Sequence, residues 1–196
     1  MNLLNYFENG YSYSDYLRKI EDQLFDLNQS DDTSGFAKYY SMNLKRIERL
    51  DKTFELTEEQ KTELNSIKND FKLLIISEGW CGDAAQTMPI VNLIMNQLGV
   101  EQRIVLRDEN PELINEYLTD GAKSIPIYIG INSEGNELFH FGPRPKKGME
   151  MLAEHKAQPE VYTSDEFHKD LQVWYNQDKG DSTFRELVNT IKSASF

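Results

Sequence analysis

This sequence has almost no cysteine, no long apolar run and no recognisable secretory signal. Cys81 is the only cysteine in 196 residues, so any disulfide must join the chain to a second molecule. The absence of a run of about 18 apolar residues predicts that no helix spans a membrane. The N-terminus lacks a basic segment followed by an apolar one. These absences favour a reducing compartment, most simply a bacterial cytoplasm.

Positive charge is also scarce. The chain has 33 acidic against 21 basic residues and a net charge of −12. Such a surface repels phosphate backbones and anionic lipid, so we expect neither nucleic-acid nor membrane partners. Three histidines, His140, His155 and His168, share no metal-ligand spacing with each other or with Cys81. The sequence therefore predicts no metal and no cofactor.

Hydrophobic periodicity predicts an α/β chain with helices at both ends. Stripes of apolar residues, such as Phe36, Tyr40 and Ile47, predict core-facing helices up to about residue 70, and the polar stretch 28–35, with loop acids Asp31 and Asp32, separates two of them. We predict strands over 73–76, 103–107, 127–131 and 137–141, and helices over 82–98, 110–121 and 146–156, with one or two more over 164–193. The predicted parts are a helical extension (1–70), an α/β core (71–158) and a helical tail (159–196).

The single cysteine lies where the first predicted strand ends and a helix begins. Unpaired N–H groups and the helix dipole stabilise a thiolate there, which predicts a lowered pKa for Cys81. Trp80 supplies an apolar wall, and Gly82 lets a partner approach closely. Asp83 has the opposite effect, because a carboxylate near the sulfur opposes thiolate formation.

These residues carry a resemblance to a known family. W-C-G-D-A (80–84) resembles the W-C-G-P-C site of thioredoxins, and Pro89 matches the proline that kinks their active-site helix. Ser124-Ile125-Pro126 resembles their cis-proline loop. The chain is most similar to bacterial thioredoxin-like proteins with a helical N-terminal extension and a single-cysteine W-C-G-D motif. The resemblance spans about 73–156 and implies a thioredoxin fold, in which helices flank a central mixed four-stranded sheet.

The resemblance also implies roles and departures. Pro126 would be cis and face the cysteine, and Ile125 would pair with the main chain of an extended substrate. Ala84 stands where thioredoxins have their second cysteine, so an external thiol must release any mixed disulfide at Cys81. Ile75 stands where thioredoxins have a buried acid. Glu78 is either a substitute acid or base or, as is commoner for loop acids, a solvated residue.

Arg144, in the stretch G-P-R-P, has two interpretations. A guanidinium held between prolines can receive a carboxylate, such as that of a small thiol. The more ordinary interpretation is a surface salt bridge.

The resulting hypothesis is a thiol–disulfide oxidoreductase of cell redox homeostasis that uses Cys81 alone. Its partners would be a protein disulfide or a low-molecular-weight thiol, and the chain would be a monomer or weak dimer. Two alternatives stay open, a non-catalytic binding or adaptor module and a redox sensor in which Cys81 is oxidised.

Overall fold

A computed structural model describes residues 2–30 and 35–194, so the predicted loop acids Asp31 and Asp32 lie outside the described residues. Helices precede the sheet, as predicted. They are α1 (Leu3–Glu8), α2 (Tyr13–Gln29), α3 (Phe36–Thr53) and α4 (Glu58–Asn65). The remaining elements are β1 (Lys72–Ser77), α5 (Gly82–Leu98), β2 (Gln102–Leu106), α6 (Pro111–Asn115), β3 (Ile127–Ile131), β4 (Glu137–Phe141), α7 (Lys146–Ala157), α8 (Ser164–Asp178) and α9 (Asp181–Ser193).

The four strands form one mixed sheet in the order β2-β1-β3-β4. β1 is parallel to β2 and antiparallel to β3, and β3 is antiparallel to β4. Strand β1 is continuously apolar from Leu73 to Ile76, and all four residues are buried. This is expected of a strand that is covered on both faces. The fold is therefore the predicted one, a mixed four-stranded sheet flanked by helices with further helices at both ends.

Several element boundaries differ from the prediction, most of them by one residue. β2 begins and ends one residue earlier than the predicted 103–107. The helix predicted over 110–121 ends at Asn115, because Thr119 and Ala122 exchange two main-chain hydrogen bonds of 2.9 Å and form a tight turn. Gly121 lies inside that turn with φ +77° rather than closing the helix.

The N-terminal helices are joined to the sheet by main-chain bonds as well as by packing. Tyr11 and Ile104 of β2 exchange two hydrogen bonds, of 2.7 and 2.8 Å. Gly10 is required there, since a Cβ would lie 2.8 Å from the Cβ of Arg103. Phe7, Tyr16 and other buried residues of these helices share the core of the sheet. The division at residue 70 stays a prediction.

Helix α5 carries the cysteine at its start. Most of its residues are buried, Pro89 lies inside it, and it ends at Gly99, which has φ +70°. Helices α8 and α9 are separated at Lys179 and Gly180, as predicted. Among the described residues, no helix combines the length and the apolar character needed to cross a membrane.

Candidate functional site

The sulfur of Cys81 sits between the start of α5 and the loop before β3. Cys81 is the N-cap of α5, and its Sγ accepts a hydrogen bond of 3.4 Å from the N–H of Ala84. Its thiol donates to the main-chain oxygen of Ile125, with Sγ and O 3.3 Å apart. The peptide bond between Ile125 and Pro126 is cis, and both residues are buried. The structure thus brings Cys81 next to Ile125 and Pro126, although these two residues lie more than 40 positions after it in the sequence.

The thiol differs from the sequence-based expectation in its acidity. Burial raises the pKa of the Cys81 thiol to about 12, and the Asp83 carboxylate raises it as well. The N–H groups of Ala84 and Asp83 lower this pKa, as expected at a helix start, but burial outweighs them. The expected lowering of the pKa is therefore wrong, and the cause is the 6% exposure of Cys81. The expected opposing effect of Asp83 is present.

Asp83 and Arg144 form a buried ion pair. The Arg144 Nη2 and Asp83 Oδ2 atoms are 2.7 Å apart, and only 14% and 9% of the two side chains are exposed. Tyr175 of α8 donates to Asp83 Oδ1 at 2.9 Å. The guanidinium of Arg144 also lies over the Phe167 ring, 5.9 Å from its centroid. Arg144 therefore forms a salt bridge, but the prediction that it lies at the surface is wrong, because the tail helix α8 covers the pair.

Glu78 is buried rather than solvated, which corrects the commoner expectation. Its Oε1 accepts a hydrogen bond of 2.9 Å from the N–H of Asp108, in the segment after β2. Burial raises the pKa of Glu78 to about 7, against the lowering effect of that hydrogen bond. The side chain therefore ties the loop before Cys81 to the end of β2.

Trp80 is half-buried and flanked by two side chains from different elements. The Arg107 guanidinium carbon lies 4.6 Å from its ring centroid, and the Phe36 ring centroid lies 6.0 Å away. Phe36 was expected to face the core, but it is 42% exposed, and its exposed surface lies beside Trp80. The remainder of that helix face is buried around Tyr40 and Ile47.

Gly79 and Asn43 fix the approach of the chain to the cysteine. The amide of Asn43 donates to the Gly79 main-chain oxygen at 3.0 Å. A Cβ at position 79 would lie 2.5 Å from the Tyr40 ring, so glycine is needed for close packing against α3. Asn43, which is 1% exposed, was missed by the sequence reasoning. The usable signal was a polar residue on the otherwise apolar stripe of α3.

These residues border an open groove of about 1040 Å³. Its sides come from α3, the 122–125 segment and α8, and Cys81, Trp80, Gly82, Asp83, Ile125 and Arg144 line it. Residues from α3 and α8, Arg46 and Gln172 among them, were not predicted to reach this site, because single-chain periodicity does not show which helices meet. No cluster of three or more His, Cys, Asp or Glu side chains that could hold a metal ion occurs among the described residues.

Comparison with known proteins agrees with this architecture. A crystal structure of a Pseudomonas aeruginosa protein of unknown function matches 93% of this chain and 98% of its own, with 16% identity and a TM-score of 0.55. An HIV epitope-scaffold structure matches 94% of this chain and 100% of its own, with 18% identity and a TM-score of 0.56. At these identities the likeness shows the fold alone.

No curated protein gives a significant match to the chain. The family model described as Thioredoxin matches residues 30–158, which include α3, the whole sheet and the groove-lining segments around Cys81 and Ile125. With the sheet order and the position of the cysteine at the start of α5, this match establishes that the chain belongs to the thioredoxin family.

Proposed function

We propose that this protein is a thiol–disulfide oxidoreductase that acts through Cys81 alone. The observation that carries the proposal is the 3.3 Å contact between Cys81 Sγ and the Ile125 oxygen on the groove surface, next to the cis bond to Pro126. This arrangement places one sulfur beside a main-chain acceptor that an extended substrate can also reach. The groove around it is large enough for a small disulfide or a short peptide segment.

The reaction is a pair of exchanges. The Cys81 thiolate attacks one sulfur of a disulfide, forms a mixed disulfide with that half, and releases the other half as a thiolate that takes a proton from water. An external thiolate then attacks the substrate sulfur of the mixed disulfide and releases the Cys81 thiolate. The external thiol supplies the electrons, because Ala84 at the usual second position has no sulfur.

Substrate docking is the step that makes the buried thiol reactive. In the free protein the S–H group of Cys81 donates to the Ile125 oxygen, which stabilises the protonated form together with burial. A main-chain N–H of the substrate that donates to the same oxygen replaces the thiol as donor. The sulfur then keeps the N–H of Ala84 as its hydrogen-bond donor, which favours the thiolate.

A second candidate is a thioredoxin-fold module that binds partners without catalysis. The observation that favours it is the burial of Cys81, which raises the thiol pKa to about 12 and leaves almost no thiolate in the free protein at neutral pH. In this case the groove would bind its partner through Trp80, Phe36 and the neighbouring cations, and Cys81 would be a packing residue.

The experiment that separates the two uses a peptide whose cysteine is disulfide-bonded to glutathione, with free glutathione as the external thiol. We expect the full chain to accelerate release of the reduced peptide, and Cys81→Ser to return the rate to that measured without protein. Equal rates for the two chains would overturn the enzymatic proposal. Unchanged binding of the peptide by Cys81→Ser would then support the binding module.

A further inference from the structure

The groove beside Cys81 is cationic, although the protein as a whole is strongly acidic. The chain carries a net charge of −12, yet five cationic side chains line the groove against two acids. The acids are Asp83 and Asp165. Two of the cations are ion-paired, Arg107 with Asp108 and Arg144 with Asp83, and the other three are Arg46, Lys123 and Lys169. A local positive region in an acidic protein concentrates anionic ligands at that place.

Arg46 is a groove cation that makes no ion pair with any described residue. It is half-buried on α3, and its Nη1 lies 3.4 Å from the point where a Cβ of Gly82 would be, next to the cysteine. Its hydrogen bonds go to Asn43 Oδ1 at 2.9 Å and Met42 Sδ at 3.8 Å. Among the described residues it has no carboxylate within ion-pair distance. Burial, and then the neighbouring Arg49, lower the pKa of Arg46, and the more distant Asp83 carboxylate acts in the opposite direction.

Arg144 also keeps an unused donor. Its Nη2 is bonded to Asp83, but its buried Nε makes no hydrogen bond within the described part of the chain. A buried N–H group without an acceptor is costly to the folded protein. Arg144 therefore contributes positive charge to the groove lining, while its Nε is buried beneath the surface.

Lys123, in the 122–125 segment, adds a further positive charge to the groove lining. It is exposed, lies two residues before Ile125, and makes no ion pair with any described residue. Its main-chain oxygen accepts a hydrogen bond of 3.1 Å from Arg107, the cation over Trp80. The groove lining thus includes Arg46, beside Gly82, and Lys123, two residues before Ile125, and both Gly82 and Ile125 adjoin Cys81.

We infer that the groove binds a small thiol that carries two or more carboxylates, either free or as its disulfide. Arg46 receives one carboxylate and Lys123 a second. A small molecule fits better than a folded protein, because Cys81 is only 6% exposed and is flanked by α3, α8 and the 122–125 segment. The inference rests on the proposed function only in assigning a sulfur to the end of the ligand near Cys81.

The test measures binding separately from chemistry. S-methylglutathione has two carboxylates and a blocked sulfur, so it cannot exchange disulfides, and its diethyl ester lacks both carboxylates. We titrate each into the full chain and into Cys81→Ser and follow backbone amide resonances of 80–84 and 122–125. The acid is expected to shift both segments in both chains, with an affinity at least about tenfold above that of the ester.

Single substitutions assign the carboxylates to residues. Arg46→Gln and Lys123→Gln are each expected to weaken binding of the acid about tenfold and to leave the ester unaffected. Arg49→Gln removes the same charge one turn along α3, outside the groove lining, and is expected to change the affinity less than about twofold. Because Lys123 is exposed in a loop, its substitution tests the inference even if Arg46→Gln alters folding.

Each outcome decides the inference independently of catalysis. Equal affinities for acid and ester, or equal losses for Arg46→Gln and Arg49→Gln, would overturn it. Tighter binding of a cysteine-free acidic hexapeptide than of S-methylglutathione would overturn the assignment to a small molecule. Binding of the acid by a chain that shows no turnover would uphold this inference and overturn the proposed function.

Discussion

The Cys81 sulfur and the Ile125 main-chain oxygen are hydrogen-bonded, 3.3 Å apart, across the start of α5 and the loop before β3. In this contact the cysteine is the donor, so the free protein holds it as a thiol. The family resemblance implies that Ile125 pairs with the main chain of a substrate, and we propose that this oxygen is the acceptor in that pairing. In the proposed function, substrate binding and thiol activation are coupled through this one atom.

Asp83 helps to raise the pKa of the Cys81 thiol. Asp83→Asn removes the negative charge that helps to raise the pKa of Cys81 and leaves the Arg144 charge nearby, and both changes favour the thiolate. We expect the thiol pKa to fall by about one unit or more, and iodoacetamide alkylation at pH 8 to become about tenfold faster. The pH dependence of alkylation, followed by intact mass, measures this change.

Asp165→Asn is the matched control for that substitution. It removes the same charge from another groove-lining acid, on α8, and is expected to leave the alkylation profile unchanged. Asp83→Asn also leaves a buried guanidinium without its carboxylate, which is expected to cost about 3 kcal/mol of stability. Identical alkylation profiles for the two variants would contradict the role given to Asp83.

Tyr175 connects the tail helix α8 to α5 through its hydrogen bond to Asp83. Tyr175→Phe removes the 2.9 Å hydrogen bond to Asp83 and leaves the ring in place. We expect a loss of about 1–2 kcal/mol in the free energy of unfolding, because the bond is buried and its acceptor is charged. Tyr39→Phe, on an exposed tyrosine of the same groove, is expected to change stability by less than about 0.5 kcal/mol. Urea denaturation of both variants checks the difference.

Glu78 makes stability depend on pH. Burial raises its pKa from the ordinary value of 4.5 to about 7, so the folded chain binds more protons than the unfolded chain between these values. The contribution of Glu78 to stability is therefore full below about pH 4.5 and is lost as pH rises through 7. Glu78→Gln keeps an acceptor for Asp108 and is expected to add about 1–3 kcal/mol at pH 8 but little at pH 4.5. Melting curves at the two pH values test the sign, and an equal shift at both would contradict it.

Gly79 and Gly82 flank the cysteine but differ in their surroundings. Gly79→Ala places a Cβ 2.5 Å from the Tyr40 ring, so we expect a loss of about 1–3 kcal/mol in stability. At Gly82 the nearest atoms to an added Cβ are 3.4 and 3.6 Å away, in ordinary contact, so Gly82→Ala is expected to fold with near-normal stability. Equal losses for the two variants would show that the fit against α3 does not determine the need for glycine at 79.

Much of the fold could be predicted because its signals are local. The apolar run 73–76 and the apolar stripe that includes Tyr40 and Ile47 each specify their own element, and the structure has a strand and a helix in these places. The prediction of a helix that ends at Gly121 was wrong, because the chain forms the Thr119–Ala122 turn instead of continuing the helix. No residue pattern favoured one outcome over the other.

The environment of the site depends on contacts between distant segments, which a single sequence does not show. The helix-start argument for a reactive Cys81 omitted burial, because the covering residues come from other elements, including the 122–125 segment. The burial of Arg144 depends on α8, more than 20 residues further along the chain. Helix α3 is rich in basic residues, five against two acidic ones, but the sequence alone does not show that it meets α8 and the 122–125 segment at the groove.

The most direct test of the central claim compares two reagents on the same cysteine at pH 7.5. Iodoacetamide has no groups that we propose to bind in the groove. Oxidised glutathione has main-chain amide groups and carboxylates that we propose to bind there. We expect Cys81 in the folded chain to react with iodoacetamide much more slowly than free cysteine does, because its pKa is about 12, but with oxidised glutathione at least as fast as free cysteine does. Equally suppressed reaction with both reagents, restored on unfolding in urea, would identify Cys81 as a buried structural thiol and contradict the proposed function.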